Sequence, residues 1–423
     1  MTAPQTLAQK LVARAAGQAT VTPGEIVTCR VDLAMMHDSG GPRRVKPMLE
    51  RLGAKVWDPD RVVVITDHYL PANDDESRKI IATAREWVQA AGVKRFHDGV
   101  GICHVVLPEQ GHLRPGMFVV GGDSHSPTGG AFGAYVFGIG ATEMLGVLVT
   151  GEIWLKVPHT ILIEWDGEFG DGVAAKDVML FLCGRLGMDG GQYQAVEYGG
   201  RAIARLSMQE RMTLGNMTAE LGGQVGLVAP DAVTRDYLAS VGVGDIHTET
   251  WRTDPGAELL AHHRFDAGAL APQVAAPHSP ANSAPAETFR DTRIDIAYLG
   301  ACTGAKLADL RMAARVLKGK RAAQGVRLMV GPASLRDQEA ARAEGTLGIL
   351  LNAGADLLPN ACGACAGYGE RRFAENEVAI ASTARNFRGR MGAASSQVYL
   401  GSPYTVAASA VAGRVCDPRE MLR

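Results

Sequence analysis

Three cysteines of the chain have a spacing that could hold a metal cluster. Cys362 and Cys365 form a C-x-x-C in the segment NACGACAGYG, and Cys302 lies earlier, in LGACTGAKLADL. Three thiolates from two turns can hold three corners of a cubane iron–sulfur cluster, which leaves the fourth iron open to water or substrate. Small residues between the paired cysteines let backbone N–H groups approach the sulfur atoms and offset the negative charge of such a cluster.

A C-x-x-C alone has other interpretations: half of a zinc site, a redox pair or two buried small residues. Zinc needs a fourth ligand, and no second C-x-x-C occurs in the sequence. A redox pair starts a helix, which the glycines around Cys365 disfavour. Cys302 is predicted between a strand and a helix, where the helix dipole favours a thiolate. The remaining cysteines are predicted to be core residues: Cys29, Cys103, Cys183 and Cys416.

The composition is typical of a globular protein without a nucleic-acid or membrane surface. The chain has 423 residues, of which 46% are hydrophobic and 21% charged, and its net charge is −2. This length exceeds what one hydrophobic core supports and predicts two to three domains. The sequence contains no secretory signal and no run of about 18 apolar residues, and an odd count of seven cysteines disfavours disulfides. We expect a cytoplasmic protein that binds neither nucleic acid nor membranes.

Strand-like and helix-like segments alternate along the chain. Apolar runs and amphipathic periodicity predict strands at 61–66, 116–122, 160–165, 293–300, 326–331 and 377–383, and helices at 77–92, 142–156, 173–186, 306–320 and 402–413. This alternation predicts an α/β fold of mostly parallel sheets with helices packed on their faces. Residues 267–287 are rich in alanine and proline and show neither helical nor strand periodicity, which is typical of a linker.

Eight sequence blocks occur in the order of one known family. They are GEIVTCRVDLAMMHD, ITDHYLP, GICHVVLPEQG, GGDSHSPTGGAFGAYVFGIGATE, RMTLGNMTAELGGQVGLVAPD, LGACTGAKLADL, NACGACAG and ARNFRGRMG with YLGSPYTVAASAVAG. Through these blocks the chain resembles the aconitase and isopropylmalate dehydratase superfamily nearly from end to end. Within this superfamily, the length of the chain and the residues of its blocks resemble the large subunits of isopropylmalate dehydratase and homoaconitase-type enzymes.

The resemblance implies an aconitase-like α/β fold of three domains around a central cluster site, without the C-terminal swivelling domain of one-chain aconitases. The expected domains are residues 1–156, 157–290 and 291–423, and the third carries the cluster cysteines. Residues 267–287 are expected to be an extended connector rather than a disordered linker, because PQVAAP resembles a segment at this place in the family.

The resemblance also implies site residues and a cofactor. One [4Fe–4S] cluster per chain is expected on Cys302, Cys362 and Cys365, with one iron that the protein does not ligate, and this iron would act as a Lewis acid on the substrate. An aspartate beside a histidine fixes the tautomer of the imidazole, and arginines bind carboxylates. The expected residues are Asp67, His68, His104, Asp123, His125 and Glu220 for catalysis, His37, Ser124, Arg385 and Arg390 for substrate binding, and Asn216 for support of the cluster region.

Two positions near the expected cluster depart from the family pattern. The turn after Cys302 usually reads Thr-Asn and here reads Thr303-Gly304, and Ala384 replaces the first asparagine of the arginine block. Both changes remove an amide from the region of the cluster or substrate. The identity of the substrate and the durability of the cluster therefore stay open at this point.

The sequence also contains no Gly-Ser-Ser-Arg-like motif, which in one-chain aconitases lies on the swivelling domain and supplies a serine base. The resemblance therefore implies a small subunit that carries the swivelling domain and this base. The expected reaction is hydration or dehydration of a 2-hydroxy di- or tricarboxylate, with 3-isopropylmalate favoured. Homoaconitate, citramalate, dimethylmalate and maleate-type acids are alternatives. A catalytically inactive aconitase-like binding or sensor protein is the alternative class.

Overall fold

The computed structural model describes residues 3–368 and 371–422. Within these ranges the chain forms four β-sheets, with helices packed against the three larger ones. Most strand pairs in those three sheets are parallel, as the alternation of elements predicts. Among the described helices, none combines the length and the apolar character that crossing a membrane requires.

The strands, in chain order, are β1 Ile26–Arg30, β2 Leu33–His37, β3 Val62–Thr66, β4 Arg95–Asp98, β5 Phe118–Gly121, β6 Tyr135–Gly138, β7 Glu152–Lys156, β8 Thr160–Asp166, β9 Ala195–Gly199, β10 Val225–Val228, β11 Ala261–Asp266, β12 Gln273–Ala275, β13 Ser283–Pro285, β14 Ile296–Leu299, β15 Arg327–Val330, β16 Asp356–Leu357, β17 Val378–Ala381 and β18 Gln397–Gly401.

The α-helices are α1 Leu7–Ala16, α2 Pro42–Leu52, α3 Asp75–Ala91, α4 Cys103–Glu109, α5 Ala141–Thr150, α6 Ala175–Leu186, α7 Arg201–Ala204, α8 Met208–Met217, α9 Ala232–Ser240, α10 Leu307–Leu317, α11 Leu335–Ala343, α12 Thr346–Asn352 and α13 Pro403–Ala412. Short 3₁₀ helices lie between them, and two of these, Ser126–Phe132 and Gly363–Ala366, border the site described below.

Each large sheet belongs to a different stretch of the chain. The first has five parallel strands in the order β4-β3-β2-β5-β6, and the second has four parallel strands in the order β10-β9-β8-β11. The third has seven strands in the order β13-β12-β18-β17-β14-β15-β16, in which only the pairs made by β12 are antiparallel. Strands β1 and β7 form a separate antiparallel ribbon.

The central strands of the first sheet are apolar because both faces of the sheet are covered. Every residue of β2 and β3 is buried, which is the pattern expected of a parallel sheet between two helical layers. Helix α3 shows how local residues set the limits of the covering elements. The Asp74 carboxylate accepts the backbone N–H of Ser77 at 2.7 Å at its start, and Gly92 adopts a φ of 72° just after its end.

The prediction of a helix over 142–156 is wrong for its second half. Helix α5 ends at Thr150, and Gly151 follows with a φ of 73°, a left-handed conformation that stops the helix. Residues Glu152–Lys156 then form β7, which pairs antiparallel with β1. In this strand Leu155 is buried whereas Trp154 is exposed, so the period is that of a strand. Because apolar residues continue across Gly151 with helical spacing, the sequence does not show the change from helix to strand.

Residues 267–287, which have no strand period in the sequence, contain two short strands. Strands β12 and β13 pair antiparallel with each other, and β12 also pairs with β18 of the seven-stranded sheet. The segment is therefore hydrogen-bonded into a sheet rather than being only an extended connector. Three-residue strands are too short to show an alternating pattern, which explains why the sequence does not reveal them.

A glycine lets the 3₁₀ helix Ser126–Phe132 pack closely on the second sheet. A Cβ on Gly130, in this helix, would lie 1.9 Å from the carbonyl oxygen of Gly226 in β10. Backbone therefore packs directly on backbone at this crossing. The crossing matters for function because His125 immediately precedes the 3₁₀ helix and Glu220 lies shortly before β10.

Substitution of Gly130 by alanine should lower the stability of the protein. The methyl group collides with the backbone of Gly226, which cannot move aside as a flexible side chain would, and overpacking of this kind costs about 1–3 kcal/mol. Gly146→Ala is the matched control, because Gly146 lies in α5 and an added Cβ there meets no atom within 4 Å. It should be neutral or stabilising by up to about 1 kcal/mol. Apparent melting temperatures check both; equal melting temperatures for the two variants would contradict the close crossing.

Candidate active site

Segments that follow seven parallel strands meet at one cavity of about 350 Å³. Those after β2, β3, β4 and β5 come from the first sheet, and those after β14, β16 and β17 come from the third. Parallel strands place their carboxyl ends at one sheet edge, where α/β proteins bind their ligands. Of the residues predicted from sequence, those that line the cavity are His37, His68, His104, Asp123, Ser124, His125, Cys302, Cys362, Cys365, Arg385 and Arg390.

The three other predicted residues lie behind the cavity wall and contact residues that line it. Asp67 forms a hydrogen bond to His68, Glu220 to His125, and Asn216 to Cys302. The structure therefore brings together all of the residues predicted for catalysis, substrate binding and cluster support.

A buried carboxylate that the sequence analysis did not identify holds the turn after β3. Asp38 is fully buried, and its two oxygens accept the backbone N–H groups of Asp67, His68 and Tyr69 at 3.0, 3.1 and 2.7 Å. Charge-assisted bonds to three consecutive amides fix the backbone of this turn. Asp38 directly follows His37 at the end of a buried strand, and an acidic residue at that position was a signal that could have found it.

Asp67 and His68 form a buried ion pair at this turn. The Nδ1–H of His68 donates to Asp67 Oδ1 at 2.6 Å, and the other carboxylate oxygen of Asp67 accepts the backbone N–H of Cys103 at 2.8 Å. Burial alone lowers the pKa of His68, but the Asp67 carboxylate outweighs it and raises the pKa to about 10. Burial likewise raises the pKa of Asp67, but His68 outweighs it and holds the pKa at about 2. At neutral pH His68 is therefore an imidazolium.

His37 packs against this imidazolium. The two rings are stacked, with their centroids 4.1 Å apart, and His37 Nε2 lies 3.0 Å from the carbonyl oxygen of Gly122. Burial, and then the nearby charge of His68, lowers the pKa of His37. A neutral ring that donates from Nε2 to Gly122 and stacks on a charged ring fits both observations.

Asp123 pairs with a histidine that is distant in sequence. Its Oδ1 lies 2.7 Å from His104 Nε2 and accepts the backbone N–H of His125 at 2.8 Å, while Oδ2 lies 4.0 Å from His68 Nε2. Burial raises the pKa of Asp123, but His104 and its other charged neighbours outweigh it and hold the pKa well below its ordinary value. The sequence places Asp123 two residues from His125, yet the side-chain partner is His104.

His125 turns instead towards the second sheet and contacts Glu220. Its Nε2 lies 3.0 Å from Glu220 Oε1, and Arg385 Nε donates to the same oxygen. Glu220 is buried, which raises its pKa, but the contacts with His125 and Arg385 outweigh burial and lower the pKa to about 2. Glu220 is therefore a carboxylate shared by His125 and Arg385, one from the first sheet region and one from the third.

The cysteines form the floor of the cavity. Asn216 Nδ2 donates to Cys302 Sγ at 3.1 Å, and the Cys362 backbone N–H donates to the carbonyl oxygen of Asp67 at 2.9 Å. Cys302 lies between β14 and α10, as predicted, but α10 begins at Leu307, beyond the range in which a helix dipole acts strongly on the sulfur. Burial raises the pKa of Cys302 to about 12, whereas the hydrogen bond with Cys362 lowers the pKa of Cys365 to about 5.

The arrangement of donors fits an iron–sulfur cluster. Three sulfur donors border one cavity, and Arg390 lies beside the Cys365 sulfur. Among the described residues, several buried polar atoms next to the cavity have no hydrogen-bond partner: His37 Nδ1, Asn216 Oδ1, Glu220 Oε2 and Arg390 Nε. Unsatisfied buried groups are costly in a folded protein and are common where a ligand completes a site.

Two further lining residues were not identified from the sequence. Arg44, in the first turn of α2, and Tyr368, after the cysteine loop, border the cavity. Arg44 follows the pair Gly40-Gly41, where an added Cβ would collide with backbone atoms of Gly122 and His37. The two glycines thus let α2 begin against the cavity. A charged residue early in a helix is usually solvent-exposed, so the sequence alone gave no reason to single it out.

Comparisons with known proteins agree with this geometry. A family model described as Aconitase family (aconitate hydratase) matches residues 9–413, and the chain therefore belongs to the aconitase family. Proteins of this family carry [4Fe–4S] clusters.

The chain is 42% identical over 420 residues to the 3-isopropylmalate dehydratase large subunit 1 of Methanopyrus kandleri, covering 99% of this chain and 100% of that protein. It is 41% identical over 419 residues to a probable methanogen homoaconitase large subunit of Methanothermobacter thermautotrophicus, covering 98% and 97%. A crystal structure of aconitase X from Thermococcus kodakaraensis aligns with 85% of this chain and 84% of its own, with a TM-score of 0.49 and 14% identity.

Replacing Asp67 with asparagine should lower the pKa of His68. Because the folded-state pKa of about 10 lies above the ordinary 6.5, the ion pair adds stability below pH 6.5, and this contribution is lost as the pH rises through 10. In Asp67→Asn the pKa of His68 should fall by about 1–3 pH units, the effect of losing an adjacent opposite charge. Ring nitrogen shifts of ¹⁵N-histidine-labelled protein measure this. Asp75→Asn, at an exposed surface pair, is the control; an unchanged His68 titration in Asp67→Asn would contradict the assignment.

Proposed function

We propose that this chain is the large, cluster-bearing subunit of a [4Fe–4S] hydro-lyase that removes water from, or adds water to, a 2-hydroxy di- or tricarboxylate. One observation carries the proposal: three cysteines open into the same cavity as the histidines that pair with Asp67 and Asp123. Three sulfur donors and the imidazolium of His68 in one cavity fit a reaction in which a hydroxyl group leaves towards a metal and receives a proton.

The cluster would be held by Cys302, Cys362 and Cys365, with Asn216 bonded to the first sulfur and Arg390 beside the last. When bound, it would supply one iron without a protein ligand, a Lewis acid for the hydroxyl and a carboxylate of the substrate. Hydrogen bonds and positive charge near the sulfur atoms favour the thiolate forms that ligation needs.

We assign the protonation of the departing hydroxyl group to the histidines. His68 is protonated on both ring nitrogens at neutral pH. Asp67 fixes the orientation of its ring, and Asp38 fixes its backbone. His68 can therefore present Nε2–H to a departing hydroxyl and protonate it as water. Asp123 lies between His68 and His104 and keeps the negative charge that such a proton relay requires.

Substrate binding is assigned to Arg385 and Arg390, with His37 and Ser124 on the opposite wall. Arg385 uses Nε for Glu220, and the described residues offer no partner to its terminal nitrogens, so these can bind a carboxylate. Glu220 thus orients an arginine whose outer edge faces the cavity. Arg390 also contacts the Cys365 sulfur.

The relatives support two substrates. The names of proteins that are 42% and 41% identical refer to 3-isopropylmalate dehydratase and to homoaconitase. 3-Isopropylmalate is our first candidate and homoaconitate the second, while citramalate, dimethylmalate and maleate-type acids remain alternatives. Because both relatives are named as large subunits, we propose a small subunit that supplies the serine base on a swivelling domain. A cytoplasmic location stays a prediction.

An inactive binding or sensor protein is the second class of function. A chain that had lost catalysis would be free to lose the ion pairs of Asp67, Asp123 and Glu220, which cost desolvation energy and add little else to a binding surface. All three pairs are formed here. Catalysis explains them, and a binding role does not.

Replacement of any cluster cysteine by serine should abolish cluster binding. After anaerobic reconstitution, the wild-type chain should contain about four irons and four sulfides. Cys302→Ser, Cys362→Ser and Cys365→Ser should contain no intact cluster, whereas Cys183→Ser, at a buried position outside the cavity, should load like the wild type. Iron and acid-labile sulfide analyses measure both; stoichiometric zinc without sulfide would refute the proposal.

The chain alone should bind substrate but turn it over slowly. A general base contributes about 10²–10⁴-fold to such a reaction, and we assign it to the small subunit. The cluster-loaded chain should therefore be at least about a hundredfold slower than the two-subunit complex, the lower end of that range. Absorbance of the unsaturated product, with and without the partner at equal iron content, measures the difference. Full activity without a partner would mean that this chain supplies the base itself.

A further inference from the structure

One arginine that borders the cavity has no partner in the protein. Arg44 is an exposed residue in the first turn of α2, and it lines the same cavity as His37 and Asp123. Among the described residues, none forms an ion pair or a hydrogen bond with the guanidinium group of Arg44. The chain thus places a fixed positive charge at the cavity without using it for an internal contact.

The neighbouring arginine shows what an internal contact would be. Arg43 Nε donates to the carbonyl oxygen of Ser39 at 2.7 Å, and its guanidinium carbon lies 5.1 Å from the centroid of the Tyr69 ring. A hydrogen bond and a cation–π contact of this kind stabilise the loop that they join. Arg43 therefore supports the loop before α2, whereas Arg44 takes part in no such contact within the described part of the chain.

The backbone before α2 fixes the place of Arg44 at the cavity. The N–H of Gly41 donates to the carbonyl oxygen of His37 at 2.8 Å, so α2 begins directly against the end of β2. A Cβ on Gly40 would lie 2.9 Å from the carbonyl oxygen of Gly122, and one on Gly41 would lie 2.6 Å from that of His37. Because both positions are glycine, the loop can pass this close, and Arg44 is held at the wall that His37 also forms.

Helix stability does not explain an arginine at this position. The amino terminus of a helix carries partial positive charge, which disfavours cations in the first turn. Helix α2 has no acidic residue in its first turn that would offset this effect. Arg44 therefore lowers the stability of the helix slightly, which is expected where a residue serves a ligand rather than the fold.

The side chains around the cavity include more cations than carboxylates. Among the described residues that line it, Asp123 is the one acidic side chain, and it is already paired with His104. Arg44 comes from the first sheet region, whereas Arg385 and Arg390 come from the third. Arginines that reach one cavity from two sheet regions fit an anion that carries several carboxylates.

We propose that Arg44 binds a third carboxylate of the substrate and thereby selects a 2-hydroxy tricarboxylate over a 2-hydroxy diacid with an alkyl substituent. The proposal rests on the proposed function, in which one substrate carboxylate goes to the open iron and a second to Arg385. Arg44 remains for a third.

This assignment separates the two candidate substrates, which the similarity to named relatives does not. Hydrated homoaconitate and 3-isopropylmalate share a malate core and differ in one substituent, which is a carboxyethyl group in the first and an isopropyl group in the second. A guanidinium group attracts the carboxylate of the carboxyethyl group and gains nothing from an alkyl group. By this criterion homoaconitate is preferred.

Two unreactive probes differ only in the substituent that Arg44 should recognise. Isopropylsuccinate and butane-1,2,4-tricarboxylate are the candidate substrates without their hydroxyl group. The wild-type chain should bind the tricarboxylate more tightly. In Arg44→Gln the Kd of the tricarboxylate should rise about fivefold, the larger end of the range for an exposed ion pair, while that of isopropylsuccinate should change less than about twofold. Isothermal titration calorimetry measures both constants.

Arg44→Lys and Arg51→Gln are the comparison variants. Lysine keeps the positive charge and should retain most of the preference for the tricarboxylate. Arg51 is exposed in the last turn of the same helix and does not line the cavity, so its variant should leave both dissociation constants unchanged. Because Arg44 opposes the helix dipole, Arg44→Gln should melt at the same or a higher temperature than the wild type.

The outcomes separate the possible failures. A wild type that does not prefer the tricarboxylate, or an Arg44→Gln protein that loses affinity for both probes equally, refutes the proposal. Unchanged binding with a lower melting temperature also refutes it, because Arg44 then serves the fold. The titrations need no iron. If iron and sulfide analysis shows that the wild type binds no cluster, it is the proposed function that fails, and the titrations still decide whether Arg44 recognises a carboxylate.

Discussion

The site depends on one buried carboxylate. Asp38 accepts three consecutive backbone N–H groups, and this fixes the turn that carries Asp67 and His68. In that turn the carbonyl oxygen of Asp67 accepts the backbone N–H of Cys362, which belongs to the third sheet region. A charged oxygen without solvent around it forms strong, directional bonds to amides. The geometry of the imidazole and the placement of the cysteine loop thus follow from a residue that does not itself line the cavity.

The charged groups around the cavity form two pairs within one sheet region and one cluster that joins three. His68 with Asp67 and His104 with Asp123 lie within the first sheet region, whereas His125 with Glu220 and Arg385 joins all three. Each carboxylate stays ionised although it is buried, because its cationic neighbours outweigh the cost of burial. A site built this way keeps fixed charges at buried positions, where they interact more strongly than in water. Removal of one member leaves its partner uncompensated.

Much of the fold and the membership of the site could be predicted from sequence, but its pairings could not. Strands such as β3 and helices such as α3 have clear apolar patterns, and Cys362 and Cys365 are adjacent in a motif. By contrast, Asp123 pairs with His104 rather than with nearby His125, because the partner is decided by how two loops pack. Asp38 carries no motif of its own. The strand Glu152–Lys156 was missed because an apolar run hid the break at Gly151.

The order of the site residues along the chain sets the time at which the site can exist during synthesis. The histidines and aspartates of the first sheet precede Cys302 by more than 170 residues, and Cys362 and Cys365 come later still. Chains emerge from the ribosome amino terminus first, and long-range contacts form slowly. The histidine and aspartate part of the site can therefore fold before the last two cysteines are synthesised. Under the proposed function, metal insertion would be confined to chains whose translation has passed Cys365.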